Sequence, residues 1–372
     1  MASGALSSDW APTFTAVDRA AFLPDLMWPY DLDTRASVTV DKREDPDAWY
    51  AAADSNVPIV TQWDDGAHSG PSPGRLSTSS SSMPATVYLL LQDLAGEDGM
   101  RVLDVGTGTG ETAGALTHRL GPGHVTTVEV DGVVSGTARE RLCRYGLYPE
   151  VVVGDGFEGY ADAAPYDRVL ATVGVREISG AWVTQTRPGG IILASFGTPY
   201  GNADAMVRLE VKGEVSMGHF TRRVEFMKLR TQRGPDIGAD DYLSAGPLAD
   251  ADNDRTSLTE GEFLTGQWSD LPFVLGLRVP ACRHMVADKR DGARPVWFYS
   301  LSDLSWACVM FRDGEAEAEV WQSGPRRLWG EVSDAYHWWQ DQGSPDVTRF
   351  GLTIAPHGQR AWLDDPKESW PV

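Results

Sequence analysis

The stretch Met100-Arg-Val-Leu-Asp-Val-Gly-Thr-Gly-Thr-Gly110 decides the reading of this chain. A short apolar strand runs straight into a turn with glycine at every second position: Gly106, Gly108 and Gly110, with Thr107 after the first. Glycine lets a backbone approach a ligand closely, and the helix predicted from Thr112 to Leu120 begins with unpaired N–H groups. Strand, turn and helix start together predict a cradle for a nucleotide-type cofactor. Two further apolar runs follow in order. His124-Val-Thr-Thr-Val-Glu-Val130 ends on Glu129 and Val130, where a ribose diol needs a carboxylate acceptor. Glu150-Val-Val-Val-Gly-Asp-Gly156 ends on Gly154, Asp155 and Gly156, with Asp155 placed to accept from an adenine amino group.

This ordered trio separates two cofactor classes. Nicotinamide dinucleotides use G-x-G-x-x-G with a pyrophosphate on the helix N-terminus. Here the third glycine falls one position early and Glu111 stands where the last glycine belongs, so its carboxylate would repel a pyrophosphate. S-adenosylmethionine (SAM) has no phosphate and carries a sulfonium cation, so Glu111 is tolerable beside it. The trio is therefore read as a SAM site, against a dinucleotide site or a purely structural turn. Asp104, at the end of the first strand, is expected either to orient the glycine loop or to touch the methionine moiety of the cofactor.

Length and composition bound the rest. A chain of 372 residues with 42% hydrophobic and 10% aromatic residues has enough apolar material for two domains, or for one with large additions. Cys143, Cys282 and Cys308 are too few and too scattered for a disulfide framework or a zinc site. The first ten residues lack a secretory pattern, and no run reaches the roughly 18 apolar residues of a membrane span. A reducing cytoplasm, with no membrane partner, is the expectation. The formal net charge of −21 opposes a phosphate backbone, so nucleic acid is not expected as a partner.

Three segments are predicted. Residues 1–80 read as helix and loop covering the site, and Gly66 to Ser82, dense in Gly, Ser, Pro and Thr, reads by itself as a flexible linker. Residues 81–233 alternate helices and strands, beginning with a helix at Pro84 whose Val87, Leu90, Leu91 and Leu94 share a face. A helix from about Val133 to Gly146 follows. Strands are then predicted at Arg168 to Thr172 and Ile191 to Ser195, with Pro188-Gly-Gly190 as the turn before the last. Such alternation predicts a doubly wound, Rossmann-like parallel α/β sheet with the cofactor at the carboxyl ends of its strands. A hairpin around Lys212-Gly213 closes the sheet edge. Residues 234–372 open with an acidic, loop-rich stretch and carry most of the tryptophans. They read as a separate C-terminal α+β domain and a peptide-recognition element.

Residues about 75 to 230 resemble the protein-L-isoaspartate (D-aspartate) O-methyltransferases. The resemblance rests on Ser82-Met-Pro84, the Met100 to Gly110 stretch, Gly154-Asp-Gly-Phe-Glu-Gly159, Ala164-Pro-Tyr-Asp-Arg168 and Arg187-Pro-Gly-Gly190. Four features depart from it. Ala85 stands where a histidine is expected after Pro84, an extra serine tract precedes Ser82, Glu111 replaces a tyrosine, and the long Trp-rich C-terminal region is expected to have no counterpart in the ordinary repair enzymes. These departures, with Ile59-Val-Thr-Gln-Trp-Asp-Asp-Gly66 and the segment from Phe350 to Asp364, resemble a branch that accompanies lanthipeptides, lasso peptides and graspetides. That resemblance implies methylation of an aspartate in a macrocyclic precursor peptide, with SAM consumed to S-adenosylhomocysteine and the ester passing to aspartimide or isoaspartate. A general isoaspartate repair enzyme and a non-catalytic SAM- or peptide-binding protein are the alternatives.

A carboxylate is already ionised at neutral pH, so its attack on a methyl sulfonium needs alignment and exclusion of water rather than a base or metal. Ser82, whose hydroxyl can donate to the acceptor carboxylate, is the leading catalytic candidate, with Ser81 and Thr78 behind it. No metal ligands are assigned, because the seven histidines show no ligand spacing. Asp64-Asp65 reads first as an acidic turn and second as a substrate entrance. His337 reads as a packed helix residue. Trp329, Trp338 and Trp339 read first as core, with a peptide-docking face as the alternative.

Overall fold

The apolar runs of the sequence become five parallel strands, ordered Glu150–Val153, Val125–Glu129, Val102–Val105, Tyr166–Val175 and Thr186–Phe196. Val102–Val105 is buried throughout and Val125–Glu129 nearly so, as strands covered on both faces must be. In this computed structural model, which describes residues 4–243, 251–266 and 268–372, helices supply that cover. Pro84–Leu94 starts on its proline and buries Val87, Leu90, Leu91 and Leu94 among Val102, Leu116 and Leu193. Glu111–Leu120 and Gly132–Arg144 follow the first and second strands. The chain winds from the central strand to one edge, then returns to the other side. The reversal lies between Val102–Val105 and Tyr166–Val175, where open sheets of this kind form their ligand crevice.

Beyond the parallel strands the sheet continues antiparallel through Asp204–Lys212 and Val215–Val224. Pairing runs the full length of this hairpin to Val224, further than its sequence pattern indicates. Pro188-Gly-Gly190 is not a separate turn: it lies inside Thr186–Phe196, where the register with Tyr166–Val175 shifts between Thr186 and Ile191.

The hairpin is not the edge of the sheet. Phe350–Ala355, Gly358–Leu363 and Ser369–Pro371 return from the far end of the chain and extend it to ten strands. The sequence reading that assigns everything after 234 to a separate unit is corrected for these last strands. Without them the unpaired N–H and C=O groups of Val215–Val224 would face solvent. The intervening part of the C-terminal region forms a five-stranded antiparallel sheet, Asp252–Thr256, Ala318–Ser323, Trp306–Arg312, Ala293–Ser300 and Cys282–Val286. The helices Leu271–Arg278 and Leu328–Asp341 pack with it around Phe298, Val309 and Trp329. Part of the acidic stretch before it lies outside the described residues.

The N-terminal segment is a small sheet in its own right, ordered Ala36–Ser37, Leu26–Asp31, Ile59–Trp63 and Ser77–Ser81, with Val40–Asp41 also paired to Leu26–Asp31. The flexible-linker reading of Gly66 to Ser82 is corrected here. Ser77–Ser81 is a strand in register with Ile59–Trp63, and the Pro71 carbonyl accepts from Trp28 Nε1 at 2.7 Å and from Thr39 Oγ1 at 2.6 Å. Pairing to a distant strand satisfies a polar backbone that local composition leaves unassigned.

Candidate functional site

A cavity of about 1640 Å³ opens at the carboxyl ends of the parallel strands, under the N-terminal sheet and beside the C-terminal region. The glycine turn from Gly106 to Thr109 and the segment Ser77 to Met83 both line it, and the two approach closely, since a Cβ on Gly108 would lie 3.3 Å from the Ser80 carbonyl oxygen. Gly106 has φ +97°, and a Cβ there would lie 2.6 Å from Val173 Cγ1 on the neighbouring strand, so only glycine lets the turn sit over the sheet. Thr107 is buried, its hydroxyl 2.7 Å from that of Thr127. Gly108 directs its N–H to Glu129 Oε2 at 3.0 Å.

Glu129 lines the cavity and also accepts from the Asp131 N–H at 3.1 Å, so its carboxylate is held at the end of its strand. Val130 beside it is 39% exposed and presents an apolar surface to the same space. Gly156 lines the cavity as well. Four predicted cofactor residues do not. Asp104 is fully buried beneath the turn, accepting from Thr127 Oγ1 at 2.7 Å; burial first, opposed by that hydrogen bond, pushes its carboxyl up to about 7. It therefore supports the loop and does not reach the cavity. Gly110, with φ +91°, serves helix packing, since a Cβ there would lie 3.3 Å from Ala138 and Leu142. Gly154 lies on the strand end, its N–H bonded to the Glu129 carbonyl. Asp155 caps the short helix Gly156–Glu158, accepting from Phe157 N at 2.9 Å.

The three hydroxyl candidates also separate. Ser81 is 2% exposed and fully engaged, accepting from Arg19 Nε at 2.8 Å and donating to Glu111 Oε2 at 2.7 Å. Thr78 donates to Gln62 Oε1 at 2.8 Å and accepts from the Asp65 N–H at 3.1 Å, which tightens the turn. Both line the cavity, with their hydroxyl protons already committed within the protein. Ser82 also lines the cavity, and its hydroxyl has no hydrogen-bond partner among the described residues.

What holds Ser82 in place is Arg19, which the sequence reading missed. Its guanidinium, 8% exposed, donates to the Ser82 carbonyl at 3.1 Å and to the Ser81 carbonyl at 3.2 Å. It also donates to the carbonyls of Ser55 and Val57, each at 2.9 Å. Glu111 lies 3.7 Å away; burial raises its carboxyl, and the charge of Arg19 opposes that shift. Arg19 is 62 residues from Ser81, so no local pattern signals the contact. A second missed cluster ties the N-terminal sheet down: Asp131 accepts from Gln62 Nε2 at 3.1 Å and from Arg230 Nη2 at 2.9 Å. Although burial works the other way, those bonds and the N–H groups of Val133 and Val134 draw the Asp131 carboxyl down to about 2.

The remaining candidates fall outside the cavity. Asp64 accepts from the N–H groups of Arg75 and Leu76, and Asp65 pairs with Arg230 and Arg233, so the acidic turn is structural. Trp329 packs on Phe263 at 5.4 Å and Phe298 at 5.7 Å. Trp338 lies 5.5 Å from Trp370 and receives Arg278 4.4 Å over its ring, and Trp339 donates to the Pro345 carbonyl. These contacts leave no docking face of three tryptophans. His337 is on that helix as expected but exposed, its ring edge-on to Tyr336 at 5.5 Å and its Nδ1 2.8 Å from the Ser333 carbonyl. Among the described residues no cluster of three metal-ligating side chains occurs, and no helix is long and apolar enough to cross a membrane.

Residues 62–233 match the family described as protein-L-isoaspartate(D-aspartate) O-methyltransferase. The protein-L-isoaspartate O-methyltransferase of Thermotoga maritima is 29% identical over 151 residues, 40% of this chain and 48% of that protein. That of Methanothermobacter thermautotrophicus is 38% identical over 120 residues, 32% of this chain and 55% of that protein. The chain thus spans about half the length of these curated relatives. A solved structure described as a protein-L-isoaspartate O-methyltransferase matches with a TM-score of 0.54 and 19% identity, covering 97% of this chain and 96% of that one. The likeness is one of fold, a Rossmann-like methyltransferase sheet with an added C-terminal region. It corrects the expectation that the C-terminal region has no counterpart among proteins of that description.

Proposed function

We propose that the chain is a SAM-dependent carboxyl O-methyltransferase acting on an aspartyl or isoaspartyl side chain of a peptide or protein. The observation that carries this reading is Ser82: a serine with an uncommitted hydroxyl lines the same cavity as the glycine turn, on a backbone clamped by Arg19. The family match over residues 62–233 supports the same chemistry.

The residues around the turn suit SAM. Glu129 offers a carboxylate for a ribose diol, Val130 and Val128 offer apolar surface for a purine, and the wall from Gly106 to Thr109 has little side-chain bulk. When bound, SAM supplies a methyl group on a positively charged sulfur. The protein then has to bring one carboxylate oxygen into line with it. The Ser82 hydroxyl donates to the other oxygen of the acceptor and orients it, while the N-terminal sheet keeps water out. The acceptor, with an ordinary pKa near 4, arrives ionised, and no proton needs to be removed. After transfer the product is a neutral methyl ester. Attack on its carbonyl by the following backbone nitrogen expels methoxide, which takes up that N–H proton and leaves as methanol, and closes a succinimide ring without further help from the protein.

For the substrate we propose an aspartate in a macrocyclic, ribosomally made peptide. The cavity exceeds the roughly 300–1,000 Å³ usual for a small-molecule site, which leaves room for a ring beside the cofactor. General repair of isoaspartate in linear chains is the second reading, favoured by the match of residues 62–233 to that family. Labelled SAM offered with a linear isoaspartyl peptide and an aspartate-containing macrocyclic peptide separates them. The macrocycle is expected to take the label faster; preference for the linear peptide selects repair, and no base-labile label on either rejects carboxyl methylation.

A further inference from the structure

The cavity differs in charge from the molecule around it. The whole chain carries −21, yet nine basic side chains line this space against four acidic ones. Six of the nine are spoken for: Arg222 pairs with Asp93, Arg230 with Asp65 and Asp131, Arg233 with Asp65, Lys228 with Asp204, Arg223 with Asp270 and Arg75 with Asp236. Arg176 and Arg283 form no ion pair among the described residues. Arg176 spends Nε and Nη1 on the carbonyls of Gln232 and Thr198, which fixes the plane of its guanidinium and leaves Nη2 toward the cavity.

The two guanidinium groups converge. A methyl group placed on Gly234, which also lines the cavity, would lie 3.6 Å from Arg176 Nη2 and 3.7 Å from Arg283 Nη1. One small anion at that point would reach both. The placement is enforced from two sides, because the loop after Thr186–Phe196 is bonded to both arginine-bearing segments. Arg176 donates to the Thr198 carbonyl, and the N–H of His284, next to Arg283, donates to the Tyr200 carbonyl at 2.8 Å. Burial, and after it the charge of Arg283, depresses the pKa of Arg176, with Asp204 opposing. Two like charges are thus held together by the fold, an arrangement that favours an incoming anion.

We propose that Arg176 and Arg283 form an anion subsite that takes a second carboxylate of the peptide, distinct from the one methylated. The inference rests on the reading of the cavity as a peptide carboxylate site and adds to it a substrate class: peptides with an acidic group besides the acceptor. It also gives the C-terminal region a function, since Arg283 lies on its strand Cys282–Val286 while Arg176 follows Tyr166–Val175 of the large sheet. A carboxylate there has two possible sources, an acidic side chain or the peptide's own C-terminus.

Three fluorescent peptides, each with the same acceptor aspartate inside a macrocycle and a linear tail, test this with the full chain saturated in S-adenosylhomocysteine. The first has a nearby glutamate and an amidated end, the second a glutamine and a free C-terminal carboxylate, the third a glutamine and an amidated end. The first or second is expected to bind roughly tenfold to hundredfold tighter than the third, and which of them does so identifies the source. Arg283→Gln, and Gly234→Asp, which introduces a competing carboxylate between the two arginines, are expected to erase that advantage and leave the third peptide's Kd unchanged. Equal binding of all three peptides, an advantage that survives both substitutions, or no binding of any peptide overturns the proposal. Methyl ester formation with SAM is scored separately. Selective binding without ester keeps the subsite and rejects the reaction.

Discussion

Ser82 and Asp104 show how two polar residues near one turn divide into chemistry and support. Ser82 reaches the cavity with its proton uncommitted, so Ser82→Ala should keep the affinity for SAM in calorimetry and lower methyl transfer by roughly tenfold or more, the worth of one charge-assisted hydrogen bond. Unchanged turnover would remove Ser82 from the site. Asp104 is sealed under the loop with one oxygen unpartnered and its carboxyl at about 7. Because that lies above the unfolded value near 3.9, the native state holds a proton the unfolded chain gives up. Its contribution to stability is full below pH 4 and is lost as the pH rises through 7, at up to about 1.4 kcal/mol per pH unit. Asp104→Asn should therefore flatten the fall in Tm between pH 5 and 8. An unaltered slope would mean that Asp104 is ionised throughout.

At the scale of elements, the decisive contact is the clamp that Arg19 forms between its own short helix, Arg19–Phe22, and the end of the strand Ser77–Ser81. Arg19, Ser81 and Glu111 make a buried chain from the N-terminal segment to the first turn of the helix after the glycine loop. Removing one member of such a pair leaves an uncompensated buried charge. Arg19→Met should cost about 3–5 kcal/mol in urea unfolding. Adding Glu111→Gln should recover part of that loss, so that the double variant costs less than the two single changes together. Simple additivity would show that the two side chains do not interact. This element pairing was not legible in the sequence. Seen alone, the serine-rich tract reads as linker, and only its partner strand Ile59–Trp63 gives its polar backbone a place to bond.

Over the whole molecule, the chain's end completes what its middle begins. Phe350–Ala355 pairs with Val215–Val224, and Trp370 donates to the Leu277 carbonyl, tying the large sheet to the C-terminal helices. A chain ended after Gly343 should therefore expose a sheet edge and buried apolar residues such as Phe220, and size-exclusion chromatography should find it aggregated. A monomeric, cooperatively folding fragment would contradict this.

The sequence by itself determined the parallel sheet, the glycine turn at its switch point, the helix at Pro84 and the acidic residue at the second strand end. Each of these is written in a contiguous run, through period, glycine spacing or a first-turn proline, and local physics suffices to read it. Only the tertiary structure decided which of Thr78, Ser81 and Ser82 keeps a free hydroxyl, that Asp104 is sealed away from the cavity, and that Phe350–Pro371 belongs to the large sheet. Those outcomes depend on Arg19, Thr127 and Val215–Val224, partners tens to over a hundred residues away. Closing such long loops costs entropy and leaves no periodic trace in the chain, so the contacts become visible only once the fold has brought them together.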